Sequence, residues 1–158
     1  MKTNIQSREA RTEDIKAMID VLTRSITESC ILDHCNEAGL IESWLSNKTE
    51  AHLMKWIKSQ SLFLNVATID DHIAGVGMVT TAGEISLCYV SPDFLRCGVG
   101  TILINGLESY LLGVGVTRSV LTSTISALKF YLRMGYEVSG NTMCIHGITG
   151  TPMRRDLR

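Results

Sequence analysis

The chain has 158 residues, 45% hydrophobic and 20% charged with only two prolines, proportions that describe one globular domain spanning 1–158 and exclude a disordered, repeat or fibrous protein. A formal net charge of −1 offers no clustered basic face, which argues against nucleic acid and anionic lipid as partners. The opening MKTNIQSREARTED lacks the apolar core of a signal peptide, and no later run approaches the roughly 18 apolar residues of a membrane span, so a cytoplasmic protein with no membrane partner is expected.

In chain order, Ile5 to Glu9 reads as a short strand. Thr12 reads as a helix N-cap followed by Glu13 and Asp14, whose charges suit the positive end of a helix dipole. Ile15, Met18, Ile19, Leu22 and Ile26 follow at helical spacing, giving an amphipathic helix to about Ser29. Two shorter helices are predicted around Leu40 to Leu45 and Leu53 to Ile57, with Trp44 and Trp56 read as core. SLFLNVATI, HIAGVGMVT and EISLCYV, separated by Asp70-Asp71 and Ala82-Gly83 turns, read as an antiparallel meander. A helix is expected from about Val99 to Leu112, then a strand at RSVLTS, a short helix in SALKFYLRM stopped by Gly135, and closing strands in YEVSG and TMCIHGI. The fold class is mixed α/β: a central, largely antiparallel sheet flanked by helices.

The five cysteines (Cys30, Cys35, Cys88, Cys97 and Cys144) are odd in number and irregularly spaced, as free thiols of a reducing compartment would be. Cys30, Asp33, His34 and Cys35 form a cluster without CxxC spacing or a matching distant pair, so no metal is expected. His34 reads as a loop residue, and His146 has weaker grounds still for a role.

One junction carries chemistry. LRCGVG, residues 95 to 100, lies between a strand end and a helix start. Gly98 and Gly100 let backbone N–H groups turn toward one point, the helix N-terminus adds positive potential, and Arg96 adds a fixed charge able to fork onto a phosphate. The segment has neither the GK[ST] of a P-loop nor the third glycine of the dinucleotide fingerprint. On spacing alone, a tight turn with a solvated Arg96 remains open beside an anion site.

The run EISLCYVSPDFLRCGVGTILINGLESYL followed by STISALKFYLRMGYE resembles the GNAT superfamily of acyl-CoA-dependent N-acetyltransferases, especially small bacterial members. The likeness rests on a strand ending in V-S-P, an [QR]-x-x-G-x-G helix start and an A-x-x-F-Y-x-x-x-G-[FY] unit about 25 residues on. It covers roughly residues 60 to 140. It implies acetyl-CoA as co-substrate, with its pyrophosphate on the amides of Cys97, Gly98, Val99, Gly100 and Thr101 near Arg96, and its pantetheine arm paired with the backbone of Cys88, Tyr89 and Val90. Leu95 departs from the family's Gln or Arg.

The resemblance further implies Tyr131 as general acid to the CoA sulfur and a backbone N–H of Tyr89 or Val90 as oxyanion donor. Glu84 matches the position of the glutamate base in the histone acetyltransferase branch, a role that requires its burial. Thr124 stands where many members carry Asn; its hydroxyl or that of Ser126 is expected either on the pantetheine or capping the Ala127 helix. The implied reaction is direct acetyl transfer to a primary amine of a small molecule or peptide. A non-catalytic acyl-CoA-binding or protein-interaction module on the same fold stays open, as does homodimerisation, and an acceptor on charged tRNA is disfavoured by the charge.

Overall fold

In the computed structural model, which describes residues 4–158, the expected mixed sheet is present. Its strands are β1 (Ile5–Glu9), β2 (Leu62–Ile69), β3 (His72–Thr80), β4 (Glu84–Val90), β5 (Arg118–Ser123), β6 (Glu137–Val138), β7 (Met143–Ile145) and β8 (Ile148–Asp156). They lie in the order β1-β2-β3-β4-β5-β8-β6, with β7 paired to β8. Each pairing is antiparallel except that of β4 with β5. Asp70 and Asp71, with φ of 48° and 69°, make the two-residue turn between β2 and β3, where short polar side chains tolerate the left-handed region.

The helices are α1 (Ile15–Arg24), α2 (Ile31–His34), α3 (Ala38–Leu45), α4 (Glu50–Lys58), α5 (Val99–Gly113) and α6 (Leu128–Arg133). α1 buries Ile15, Met18, Val21 and Leu22, the stripe its spacing predicts. Thr12 is not its cap. Thr12–Asp14 form a 3-10 turn, and the Asp14 carboxylate accepts from the Arg11 N–H at 2.8 Å while Arg8 donates to it at 2.7 and 2.9 Å. Beyond Arg24 the helix widens into a π turn, Ser25–Ser29, and α2 follows, which the apolar pattern did not reveal.

One layer of core, with Met18, Leu22, Leu53, Val66, Val76 and Leu87, lies between the sheet and α1 and α4. α5 and α6 cover the other face over Leu103, Ile104, Leu107, Tyr131 and Met153. No helix of the described residues is long and apolar enough to cross a membrane.

Two backbone irregularities shape the functional end of the sheet. Met78 pairs with Leu87 and Val79 with Ile85, so Ser86 is an extra residue in β4, a β-bulge. Strict alternation would put Ile85 and Leu87 on one face; the bulge sends Ile85 to the α5 side and Leu87 to the α1 side. Next, β4 pairs with β5 only at Glu84↔Val120 and Ile85↔Leu121, after which the two strands part.

The C-terminal strand is a correction to the sequence reading, which closed the sheet with TMCIHGI and left the tail unassigned. β8 runs from Ile148 to Asp156; its first three residues pair with β7, and Thr151 to Asp156 pair with the whole of β5. Its Pro152 would normally argue against an interior strand. The proline's carbonyl accepts from Ser139 N, on the β6 side, so its missing N–H also faces β6, a strand of two residues with little ladder to lose.

Candidate active site

Past Leu121 the backbone edge of β4 that faces β5 has no strand partner, and the side chains of Cys88, Tyr89 and Val90 divide between the two faces of the sheet. Cys88 and Val90 lie on the α5 side; Tyr89 lies on the α1 side, where its hydroxyl accepts from Trp44 Nε1 at 3.0 Å. The gap holds a small cavity of about 60 Å³ walled by Leu87, Cys88, Thr124 and Tyr131. It adjoins a larger one of about 470 Å³ between α3, the end of β5 and the β7–β8 turn. Ser86, Leu87, Tyr89, Thr122 and Thr124 wall both, so the two form one passage through the splayed sheet.

Tyr131 is buried, and it shares the wall of the small cavity with Cys88. Burial, then the neighbouring Cys88 and Tyr89, hold its proton well above the ordinary tyrosine range. Burial likewise pushes the Cys88 thiol up to about 12 and raises Tyr89. The site thus presents neutral donors. Cys88 is a thiol, not a thiolate nucleophile.

At the loop, Arg96 (φ 60°), Cys97 and Gly98 are exposed, and Gly98, at φ 85°, is the N-cap of α5. With no side chain at that position to cap them, the first N–H groups of α5 lack a helical or capping partner, as at any uncapped helix start. Gly100 serves a different need from the one its spacing suggested. A Cβ there would stand 3.0 Å from the Phe130 ring, so the absence of a side chain lets α6 pack on the start of α5.

The remaining expected residues divide. Thr124 caps the turn before α6 by accepting from Ala127 N at 3.3 Å, and it also lines both cavities. Ser126 does not face the passage: its hydroxyl donates to Asp33, which also accepts from Ile125 N at 2.7 Å. Glu84 is exposed where β4 and β5 are still paired and walls neither cavity, so the burial that a base role requires is not met. His34 is fully buried; it accepts from Asn36 N at Nδ1 and so donates from Nε2 to the Ile26 carbonyl at 2.7 Å, fastening α2 to the π turn. No cluster able to hold a metal ion occurs among the described residues.

Sequence reasoning missed the acceptor side of the passage. Trp44, read as core, is half-buried on the cavity wall, and Lys48 and His146 stand on the same wall. The helical period of α3 carried no sign of this, because an apolar face over a cavity has the same pattern as one over a core.

The family described as acetyltransferase (GNAT) domain matches residues 31–157. The chain belongs to this family. It is therefore an acyltransferase, and among curated proteins it is similar to the peptidyl-lysine N-acetyltransferase YjaB of Salmonella typhimurium, 25% identical over 143 residues that cover 87% of each chain. It is also similar to YyaT of Bacillus subtilis, 24% identical over 125 residues and 78% of each chain. Among solved structures, a GCN5-related N-acetyltransferase from Rhodopseudomonas palustris superposes with a TM-score of 0.86 at 24% identity over 99% of both chains. The PaiA N-acetyltransferase of Thermoplasma acidophilum, solved in complex with coenzyme A, gives 0.82 at 19% identity over 97% of this chain and 99% of its own. The GNAT fold thus extends through the N-terminal helices, where the sequence likeness was thin.

Proposed function

We propose that this GNAT protein transfers the acetyl group of acetyl-CoA to a primary amine of a small molecule or peptide by direct attack in a ternary complex. The observation that carries the reading is the parting of β4 from β5, which opens one passage with Tyr131 on one side of the sheet and the larger cavity on the other. Thioester and amine can approach the same stretch of β4 from opposite faces, with no need of an acyl-enzyme. The coenzyme A complex of a structural neighbour supports the choice of co-substrate.

In this reading the amides of Cys97, Gly98, Val99, Gly100 and Thr101 hold the pyrophosphate at the uncapped start of α5, with Arg96 beside it. The free edge of β4 at Cys88, Tyr89 and Val90 pairs with the pantetheine arm, and a Tyr89 or Val90 N–H receives the oxyanion. Tyr131 supports the departing sulfur. Its raised affinity for the proton makes it a hydrogen-bond donor to the developing thiolate first and a proton donor only as the bond breaks. With Glu84 outside the passage, the amine's proton leaves through water along the hydroxyls of Ser86, Thr122 and Thr124.

Thr101→Asp tests the loop. A carboxylate in the first turn of α5 leaves fold stability unchanged or raises it by about 0.5 kcal/mol, yet repels a pyrophosphate. Acetyl-CoA at 100 times its dissociation constant stabilises the wild type by about 2.7 kcal/mol in thermal unfolding, and the variant's affinity drops at least tenfold. Equal shifts in both proteins would remove the pyrophosphate from this loop.

A further inference from the structure

The larger cavity has a definite electrical character. No Asp or Glu is found on its wall among the described residues, and Lys48 is the one lysine or arginine there. Trp44, Tyr89, Leu87 and Ile145 supply apolar surface, and serine and threonine hydroxyls the rest. The Lys48 ammonium donates to the Trp44 carbonyl at 3.1 Å, at the C-terminal end of α3, and to the Asn47 side chain at 2.6 Å. An ammonium has three donors, so one is left over. No carboxylate of the described residues forms an ion pair with it.

Resting on the acetyltransferase reading above, we infer that the acceptor is a small amine that carries a carboxylate, held by Lys48, and not a polyamine or other polycation. A polycation entering this cavity would give up water with no anion to replace it, and would meet Lys48 as a like charge. A carboxylate does the reverse: it pairs with the cation and takes its third donor. The volume, about 470 Å³, is that of a ligand-sized cleft between α3 and the β7–β8 turn. Burial supports the assignment, because it lowers Lys48 to about 8, the mark of a desolvated cation without a counter-ion.

The test measures CoA release from acetyl-CoA with two matched sets of acceptors. One set is 6-aminohexanoate, 6-aminohexanamide and 1,6-diaminohexane, which place a carboxylate, a neutral amide and an ammonium at the same distance from the amine. The other is L-leucine and L-leucinamide. In at least one set the acid is expected to exceed the amide in kcat/KM by about tenfold or more, the worth of one charge-assisted hydrogen bond in a partly dry site, with the diamine poorest. Lys48→Met brings the acid-to-amide ratio close to one, and Lys48→Arg restores it.

Inhibition by hexanoate gives an independent readout, since it has no amine to titrate. Lys48 binds it while protonated, so inhibition weakens as pH climbs through about 8 in the wild type and stays level in Lys48→Arg. The other titratable groups on this wall are His146 and Tyr89; Tyr89 is held protonated by burial, and both are present in the arginine variant. Preference for the amide or diamine overturns the inference, as does an acid preference that survives Lys48→Met. Binding of acetyl-CoA with no transfer to any of the five amines overturns it too. Absence of both binding and transfer overturns the acetyltransferase reading itself.

Discussion

At the scale of single residues, burial decides which groups in the passage are reactive. Cys88 shares a cavity wall with Tyr131 and has the chemistry of a nucleophile, but burial pushes its thiol up to about 12, far above neutral pH, and so keeps it protonated. Direct transfer is therefore expected to survive Cys88→Ala with kcat within about threefold of wild type, and rapid-quench mass spectrometry should find no acetylated cysteine. A trapped acetyl-Cys88 would replace direct attack by a two-step mechanism. Tyr131→Phe has the opposite expectation: kcat falls about 100-fold, the usual worth of a positioned proton donor, with little change in KM for acetyl-CoA. The place of Tyr131 on the cavity wall was legible in the sequence because it sits in a motif of fixed spacing. Lys48 was not, because its meaning depends on the absence of acids from walls contributed by four distant segments, and no local pattern records that absence.

At the scale of elements, the N-terminal helices are tied to the turn between β5 and α6 by one carboxylate. Asp33, buried on α2, accepts from the backbone of Ile125 and Ser126 and from the Ser126 hydroxyl, and so fixes the turn that carries Thr124 into both cavities. Asp33→Ala leaves those donors unpaired, at about 1–3 kcal/mol in urea unfolding. The loosened turn also raises KM for the acceptor more than it lowers kcat. Asp33→Asn, which keeps one accepting oxygen, is expected to recover part of both. An unchanged acceptor KM in a destabilised Asp33→Ala would reduce the contact to a fold anchor. Of the elements, α1, α5 and the meander were plain from periodicity. α2 was hidden by its four-residue length, and the four residues Cys30, Asp33, His34 and Cys35, which looked like a metal cluster, turn out to spend Asp33 and His34 on fastening backbone.

At the scale of the whole molecule, the half of the sheet beyond the splay is held by a polar network rather than by β4, from which β5 departs after two paired residues. Glu108 of α5, its side chain only 10% exposed, accepts from Arg155 of β8 at 2.8 Å and from the Tyr136 hydroxyl at 2.8 Å. Tyr136 also reaches Ser119 of β5 at 2.8 Å; having one proton, it donates to one partner and accepts from the other. Helix α5, strand β8 and Tyr136 of the α6–β6 connection therefore meet at one carboxylate, and Tyr136 extends the network to β5. Arg155→Met strips that carboxylate of its cation, at a cost of about 3 kcal/mol, because a buried charge is left with a single neutral donor. Glu108→Leu combined with Arg155→Met removes the charge along with its partner, and the double variant is expected to regain more than half of the loss. Urea unfolding of the two single variants and the double measures the coupling. If the double were as unstable as the sum of the singles, the network would act through each side chain's packing alone, and the strand pair β5–β8 would owe its position beside the passage to its ladder of six residue pairs and the Met153 core beneath it.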